Sequence, residues 1–299
     1  MTNEELERLI RSIYKRAKEG VQDRWQEYSA QVLPEIAELQ YQYDEAKKNG
    51  DKEEAGRLGR KLAGVKKEYL LTDEHYTELV NVTAAEYNQA NKTAASYING
   101  ELPDRYIGGF NAAGEAIEDN VLGYSFEMTD ANTVKRLIVD EPDLLPTVNI
   151  DTAKDLRWNK RKIDSEVLQG ILQGEPMDKI AKRLTKVAKM NEVSAIRNAR
   201  TAVTSAENGG RLDGMKQAEE DGIILRKKWL AADDERTRDA HREMDGQIRK
   251  LDEPFTSDLG DIMFPADPSG QPANVYNCRC TMTTEILGFR GRTGKVVML

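Results

Sequence analysis

Cysteine and histidine are almost absent from this chain, with two of each in 299 residues. Two cysteines cannot build the multi-bridge framework of a small secreted scaffold. No apolar run approaches the ~18 residues that would mark a membrane span. The formal net charge of -8 argues against wrapping of nucleic acid in bulk, which needs many Lys and Arg side chains to neutralise phosphates. Proline is scarce, at 9 residues, and there is no internal repeat or low-complexity segment. A phosphate-binding loop is also missing: "GGRLDG" lacks a strand before it and a Lys-Ser/Thr pair after it. The opening "MTNEELERLIRSIYKRAKEG" is amphipathic and contains acids, unlike a secretory signal or transit peptide, so synthesis in a cytoplasm is the expectation.

What is present is charge and helical periodicity. Apolar residues make up 39% and charged residues 32%, the balance of a soluble, helix-rich protein with length for about two domains. Leu6, Leu9, Ile10, Ile13 and Tyr14 recur at helical spacing and form one apolar stripe. Helical patterning continues past Pro34 to Asn49-Gly50, a stop signal, and Asp51 suits the cap of a following helix. Another helix is expected up to Asn99-Gly100, giving long antiparallel helices in a bundle or hairpin. The faces Leu6–Tyr14 and Leu62–Leu71 fit either that bundle or the groove of a partner. Between Leu102 and Pro146, Gly and Pro suggest short helices and loops. Helix returns after residue 150, breaks around Gly174-Glu175-Pro176, and resumes as one long helix or a pair broken at Gly209-Gly210. Strand signals come only after Gly222, in "IILRKKWLAA", "GQIRKL" and "TMTTEIL". The expected fold is therefore mainly α with a C-terminal α+β module carrying a small sheet. The expected division is an N-terminal helical domain (1–100), a helical connector (101–190), a C-terminal module (191–290) and a tail (291–299).

Both cysteines, Cys278 and Cys280, fall in "PANVYNCRCT". A bridge between them would close a very small, strained ring. If "DDERTRDAHREMDG" is a helix, Asp234, Arg238, His241 and Asp245 share one face. Three readings follow. His241, Cys278 and Cys280 can hold zinc, completed by Asp or water. They can instead be a packing cluster of reduced thiols, with His241 bonded to a carboxylate or carbonyl. Thirdly, His241-Arg242-Glu243 spells H-x-E ahead of the cysteines, as in the zinc deaminases, but C-x-C replaces C-x-x-C and Asn277 replaces the proline.

In order and spacing, "ARTAVTSAENGGR", "KKWLAADDERTRDAHREMDGQ" and "DEPFTSDLGDIMFPADPSGQPANVYNCRCT" resemble the tailed-phage minor head proteins, the head-morphogenesis family that includes the phage Mu F-like proteins. The positions carrying the resemblance are Arg200, Thr201 and Asn208, then Trp229, then Asp234, Arg236, Arg238 and His241. Asp245, Gly246, Gln247, Phe255, Pro265, Asp267 and Pro268 come next, and Asn277, Cys278, Arg279 and Cys280 close the series. The resemblance covers roughly residues 195 to 285. It implies a non-enzymatic virion protein in the capsid interior near the portal, acting in procapsid assembly. The implied partners are the portal, the major capsid or scaffold protein and the packaged DNA, whose end the protein would hold or escort on ejection. No cofactor is implied, and zinc stays open. The alternative function is a zinc-dependent nucleic-acid-modifying enzyme using His241, Glu243, Cys278 and Cys280.

Two expectations accompany this reading. Arg236, Arg238 and Arg279 meet Asp233, Asp234, Asp239 and Asp245 in a buried ion-pair network that fastens the cysteine segment. In "KDLRWNKRK", Lys154, Arg157, Lys160, Arg161 and Lys162 surround Trp158, a pattern that suits a phosphate backbone and a stacked base, or equally a solvated helix face with a core Trp.

Overall fold

A computed structural model describes residues 1–32, 34–70, 73–130, 132–134, 144–173, 175, 177–232, 234–290 and 296–298. The chain is mainly helical with a small C-terminal sheet. The helices are α1 (Asn3–Val32), α2 (Pro34–Lys48), α3 (Lys52–Leu70), α4 (Asp73–Glu118), α5 (Ala153–Leu172) and α6 (Met177–Glu220). The C-terminal part adds β1 (Ile223–Leu230), α7 (Asp239–Glu243), β2 (Ile248–Arg249), α8 (Pro272–Val275), β3 (Thr281–Arg290) and β4 (Val296–Met298). The residues cluster into two compact units. One comprises Glu4–Ala95 and Asn149–Ala195, the other Met1–Asn3, Ser96–Val148 and Ile196–Leu299.

The first unit is helical. The α1 stripe is its core: Leu6, Ile10, Ile13 and Tyr14 are buried, and Leu9 is half-buried. Polar groups drawn inside with them are satisfied. Tyr14 Oη donates to Asn91 Oδ1 at 2.6 Å, Trp25 Nε1 to Thr83 Oγ1 at 3.0 Å, and Tyr87 Oη to the Leu184 carbonyl at 3.0 Å. A buried polar atom left alone would cost about 1–3 kcal/mol, so these pairs fix which rotations of the helices are tolerated. The α2–α3 hairpin has its own cluster of Ile36, Leu39, Ala46, Ala55, Leu58 and Leu62. Gly50 turns the chain at a positive φ of 74°, and Asp51 caps α3 by accepting from Glu54 N at 3.0 Å. The first of the two faces offered above for partner docking is therefore occupied inside its own unit, as is Leu62. Leu71 lies outside the described residues.

In the second unit α4 departs from the sequence expectation and α6 takes one of its two alternatives. Asn99-Gly100 does not end a helix, and residues 102–118 are the last turns of α4 in place of short helices and loops, while α6 runs unbroken through Gly209-Gly210. At Gly109 and Gly210 the glycines serve close approach of the two helices. A Cβ on Gly109 would stand 2.0 Å from the Glu207 carbonyl oxygen, and one on Gly210 would stand 2.0 Å from that of Tyr106. Only glycine lets the two backbones meet there. The break expected around residues 174–176 has α5 ending at Leu172 and α6 beginning at Met177, with Gly174 and Pro176 themselves outside the described residues.

The sheet is antiparallel with strand order β2-β1-β3-β4. β1 alternates: Ile223, Leu225, Lys227 and Trp229 face inward. Their side is covered by one core shared with Ile117, Phe126, Leu212 and Met215 from the two helices and the segment after α4. Cys278, Cys280 and Met282 belong to the same core. The tail's Val296–Met298 pairs with Gly288–Arg290 of β3, and residues 291–295 and 299 lie outside the described residues.

Candidate functional site: a buried histidine and two thiols

Between β1 and β3 the chain runs through turns with little regular structure, so side chains supply the bonds that a ladder would. α6 presents Thr201, Thr204 and Asn208, three and four residues apart and so on one face. Thr201 Oγ1 accepts from Asn277 N at 3.0 Å, and Thr204 Oγ1 donates to the Cys278 carbonyl at 3.0 Å. Asn208 Nδ2 donates to the Cys280 carbonyl at 3.4 Å, while its Oδ1 accepts from Thr281 Oγ1 at 3.1 Å. Arg200 is half-buried on the same helix. The cysteine segment is thus laid along α6 residue by residue. Asn277 turns it at a positive φ of 56°, a conformation asparagine tolerates better than most residues.

That placement brings both sulfurs to one imidazole. His241 Nδ1 lies 3.4 Å from Cys280 Sγ and 3.7 Å from Cys278 Sγ, and all three residues are at most 3% exposed. The other ring nitrogen, Nε2, is 2.8 Å from Asn274 Oδ1. Asn274 is fully buried, and its Nδ2 donates to the Gly260 carbonyl at 2.9 Å. Trp229 stands edge-on to the imidazole at 5.6 Å and to Phe255 at 5.2 Å; its indole N–H has no hydrogen-bond partner among the described residues. Both cysteines are free thiols. Sharing a proton with Cys278 draws the Cys280 thiol down, helped by His241 and the Ala232 amide against the effect of burial. The same bond, together with burial, pushes Cys278 up.

The surrounding charges are arranged differently from the sequence expectation. Asp234, Arg238, His241 and Asp245 do not share a helical face, because α7 covers only Asp239–Glu243. The buried ion-pair network is replaced by one half-exposed pair, in which both Arg279 amino groups meet the Asp234 carboxylate, NH2 at 2.6 Å. Arg279 holds that carboxyl well below the usual range. Arg236 is exposed and only 3.9 Å from Asp234, and Asp239 pairs with Arg242. Arg238 donates to the Tyr276 carbonyl, and Asp245 accepts from Ala231 N at 2.8 Å. Asp233 lies outside the described residues. Arg238, partly exposed, finds its acceptor in a main-chain carbonyl and not in a carboxylate.

The remaining motif positions shape turns. Gly246 adopts a φ of 75°, and the Gln247 side chain bonds the Thr256 backbone in both directions. Asp267 is buried, with its carboxylate accepting from Met263 N, Ser269 N and Ser269 Oγ. Pro265 before it is buried and Pro268 after it is exposed. Two residues that the sequence reading missed are Asn274 and Lys227. Lys227 is fully buried and donates through Nζ to the Leu251 and Met263 carbonyls at 3.1 and 2.9 Å; burial lowers its pKa to about 8, with Lys216 adding to the effect. Its signal was there in the period-2 pattern, which places it between Leu225 and Trp229 on the inward face. Asn274 had no such signal, since its partners lie far off in sequence.

For the deaminase alternative, Glu243 would have to stand beside the sulfurs as the general acid/base. It is exposed, two residues past His241 on α7 and so turned away from it. The metal-ligand cluster among the described residues is His241, Cys278 and Cys280 without it.

Comparison with known proteins sets this geometry in context. The family described as "Phage Mu protein F like protein" matches residues 161–283. The minor head protein GP7 of Bacillus phage SPP1 is 27% identical over 200 residues, which is 66% of this chain and 64% of that protein. Residues 161–283 thus match the phage Mu F-like family, and the chain resembles a phage minor head protein. The Mu F-like match spans the helix face, Trp229, the imidazole and both thiols. A protein of Enterococcus faecalis named NAD(+)--arginine ADP-ribosyltransferase EFV is 27% identical over 204 residues, 64% of this chain but 40% of its own length. An uncharacterized protein of Haemophilus influenzae is 25% identical over 181 residues, 58% of this chain and 37% of its own. The chain spans between 37% and 64% of the length of these curated relatives. No solved structure matches it.

The basic segment lies in the other unit, on α5. Lys154, Arg157, Lys160, Arg161 and Lys162 are all exposed, and Trp158 is half-buried. Lys162 Nζ stands 6.0 Å from the Trp158 ring centroid. Two shallow concavities flank the row, one lined by Trp158, Arg161, Lys162 and Ser165, the other by Lys154, Arg157, Lys160 and Arg161. No helix among the described residues is long and apolar enough to cross a membrane.

Proposed function

We propose that the chain is a structural component of the phage head, placed inside the capsid by the portal during procapsid assembly and in contact with the genome end during packaging and ejection. The observation that carries this reading is the Mu F-like match across residues 161–283, combined with the way those residues are used. The motif side chains bond backbone and fill a core, and the polar ones point at carbonyls and amides of their own unit. That is the pattern of a shape-determining module. The four-part division 1–100, 101–190, 191–290 and 291–299 goes with the proposal, with the helical part as spacer and docking rib and the C-terminal module as its anchor.

The face proposed for DNA is the α5 row. A phosphate backbone needs cations that have no better partner, and Lys154, Arg157, Lys160 and Arg161 show no ion pair among the described residues. Trp158 lies where a base can stack. Major capsid or scaffold protein and the portal are the proposed protein partners. The test is co-expression of the full chain with the portal subunit of its phage, followed by affinity capture and cross-link mapping. Stable co-purification with cross-links to one portal surface is expected. A chain that enters particles lacking portal, or never associates with portal subunits, refutes the placement.

A further inference from the structure

The imidazole and two thiols are more than a packed core, for two reasons of geometry and one of charge. First, two sulfurs approach the same nitrogen, at 3.4 and 3.7 Å. A neutral imidazole nitrogen has one lone pair and accepts one thiol hydrogen, so the two thiols cannot both donate to it at once. A tetrahedral zinc with Zn–S of about 2.3 Å and Zn–N of about 2.0–2.1 Å sets its nitrogen and sulfur ligands about 3.5–3.6 Å apart. The two observed separations fall on either side of that value, and all three donor atoms lie within 4.8 Å of one another.

Second, the far side of the ring is arranged as in ligating histidines. The Gly260 carbonyl takes the Asn274 Nδ2 hydrogens, which turns Asn274 Oδ1 toward His241 Nε2. Nε2 must then carry the ring proton, and Nδ1 is left with its lone pair facing the sulfurs. Holding the non-ligating N–H with a buried acceptor fixes ring orientation and raises ligand basicity.

Third, charge balances. Two thiolates and a neutral imidazole offset a divalent cation, so the site is neutral where a net charge would be costly to bury. The donor set also selects: thiolate with imidazole suits zinc and disfavours magnesium or calcium.

We infer that His241 Nδ1, Cys278 Sγ and Cys280 Sγ bind one zinc ion, with water as fourth ligand, as a structural clasp. Binding releases the two thiol protons to solvent. The ligands lie 37 and 39 residues apart, and the chain between them has only β2 and α8 as regular elements. A metal bridging His241 to the cysteine pair closes that long excursion onto β1 and α6. The inference is independent of the proposed role at the portal, and either can fail alone.

The test uses the full chain, expressed without a histidine tag and purified without chelator. About one zinc per chain by elemental analysis is expected. Cobalt(II) added to chelator-stripped protein should give thiolate-to-metal charge-transfer absorption, weakened in Cys278→Ser and in Cys280→Ser and lost when both are replaced. Asn274→Ala retains all three ligands and should weaken cobalt affinity about 10–100-fold, a readout that a purely packing role for Asn274 would not move. Zinc at background together with no charge-transfer band in protein whose two thiols titrate as free overturns the inference. So does a band that survives in the double Cys278→Ser, Cys280→Ser variant.

Discussion

Adjacent glycines on α4 should respond to alanine with opposite signs. Gly109 is buried, and a Cβ there would meet the Glu207 carbonyl oxygen at 2.0 Å and its carbon at 2.9 Å. Carbon–oxygen contacts normally begin near ~3.3 Å, so the two helix backbones would have to part by on the order of 1 Å. No rotamer can absorb this, because the atoms met are main chain. Nor can the helices part locally. Gly210 is held just as closely to the Tyr106 oxygen, and a Cβ on Gly214 would come within 2.5 Å of the Phe110 oxygen. Overpacking costs about 1–3 kcal/mol and occasionally more; backbone against backbone belongs at the top of that range. Alanine's helix propensity returns ~1 kcal/mol. Gly109→Ala should therefore destabilise the unit by about 2 kcal/mol. Gly108 is exposed with nothing within 4 Å of an added Cβ, and Gly108→Ala should stabilise by roughly 0.5–1 kcal/mol. Urea unfolding followed by circular dichroism would measure both. If Gly109→Ala unfolds at or above the wild-type midpoint, glycine is not what permits the crossing.

Three further outcomes follow from charged groups. Asp234 is held below its ordinary pKa of 3.8 by Arg279, so its contribution is present above that value and lost as pH falls through the folded value. The urea midpoints of wild type and Asp234→Asn should therefore converge on acidification below the ordinary carboxylate range, and a gap constant down to acid pH would exclude the ion pair as its source. Lys227 has the opposite linkage: its pKa is lowered from 10.5 to about 8, so the unfolded chain binds the extra proton between those values and stability gains from this residue as pH rises through that window. Lys227→Met should flatten that rise while lowering stability at neutral pH, because the Leu251 and Met263 carbonyls lose their donor; an unchanged pH profile would rule out a buried, titrating amine. Replacing Arg157, Lys160 and Arg161 by Glu should weaken DNA binding and make the salt dependence shallower by up to about 0.9 for each phosphate no longer neutralised, with the fold intact by circular dichroism; unaltered affinity would remove α5 as the DNA face.

The elements that a local pattern specifies were legible. β1 announced itself by alternation, the α1 stripe by spacing at three and four residues, and the α2–α3 turn by Asn49-Gly50-Asp51. Asn99-Gly100 and Pro103 are helix-ending signals when only backbone propensity is weighed, yet α4 passes through them, and α6 passes through Gly209-Gly210, where the sequence left both outcomes open. At the buried members tertiary approach selects glycine, and that pressure leaves the same letters as a turn. Pro103 removes one helical hydrogen bond from Asn99, whose side chain instead pairs with both backbone groups of Val148. In the site, residue types were legible and partners were not. Arg238 was read as an ion-pair member because Asp residues surround it in sequence, whereas its acceptor is a carbonyl 38 residues away.

The partners explain why a segment with so little regular structure needs so many polar residues. Every buried amide and carbonyl must find a partner, and between β1 and β3 ladders provide few. Lys227 serves Leu251 and Met263, Asn274 serves Gly260, Gln247 serves Thr256, and Thr204 and Asn208 serve the carbonyls of Cys278 and Cys280. Each bond is worth only about 0.5–1.5 kcal/mol when made, but an orphaned buried group costs about 1–3 kcal/mol. Such a segment is consequently specified by what each omission would leave bare. It follows that its polar letters are needed whether or not any of them touches a substrate, and that backbone satisfaction does not explain the buried pair of sulfurs facing a single nitrogen.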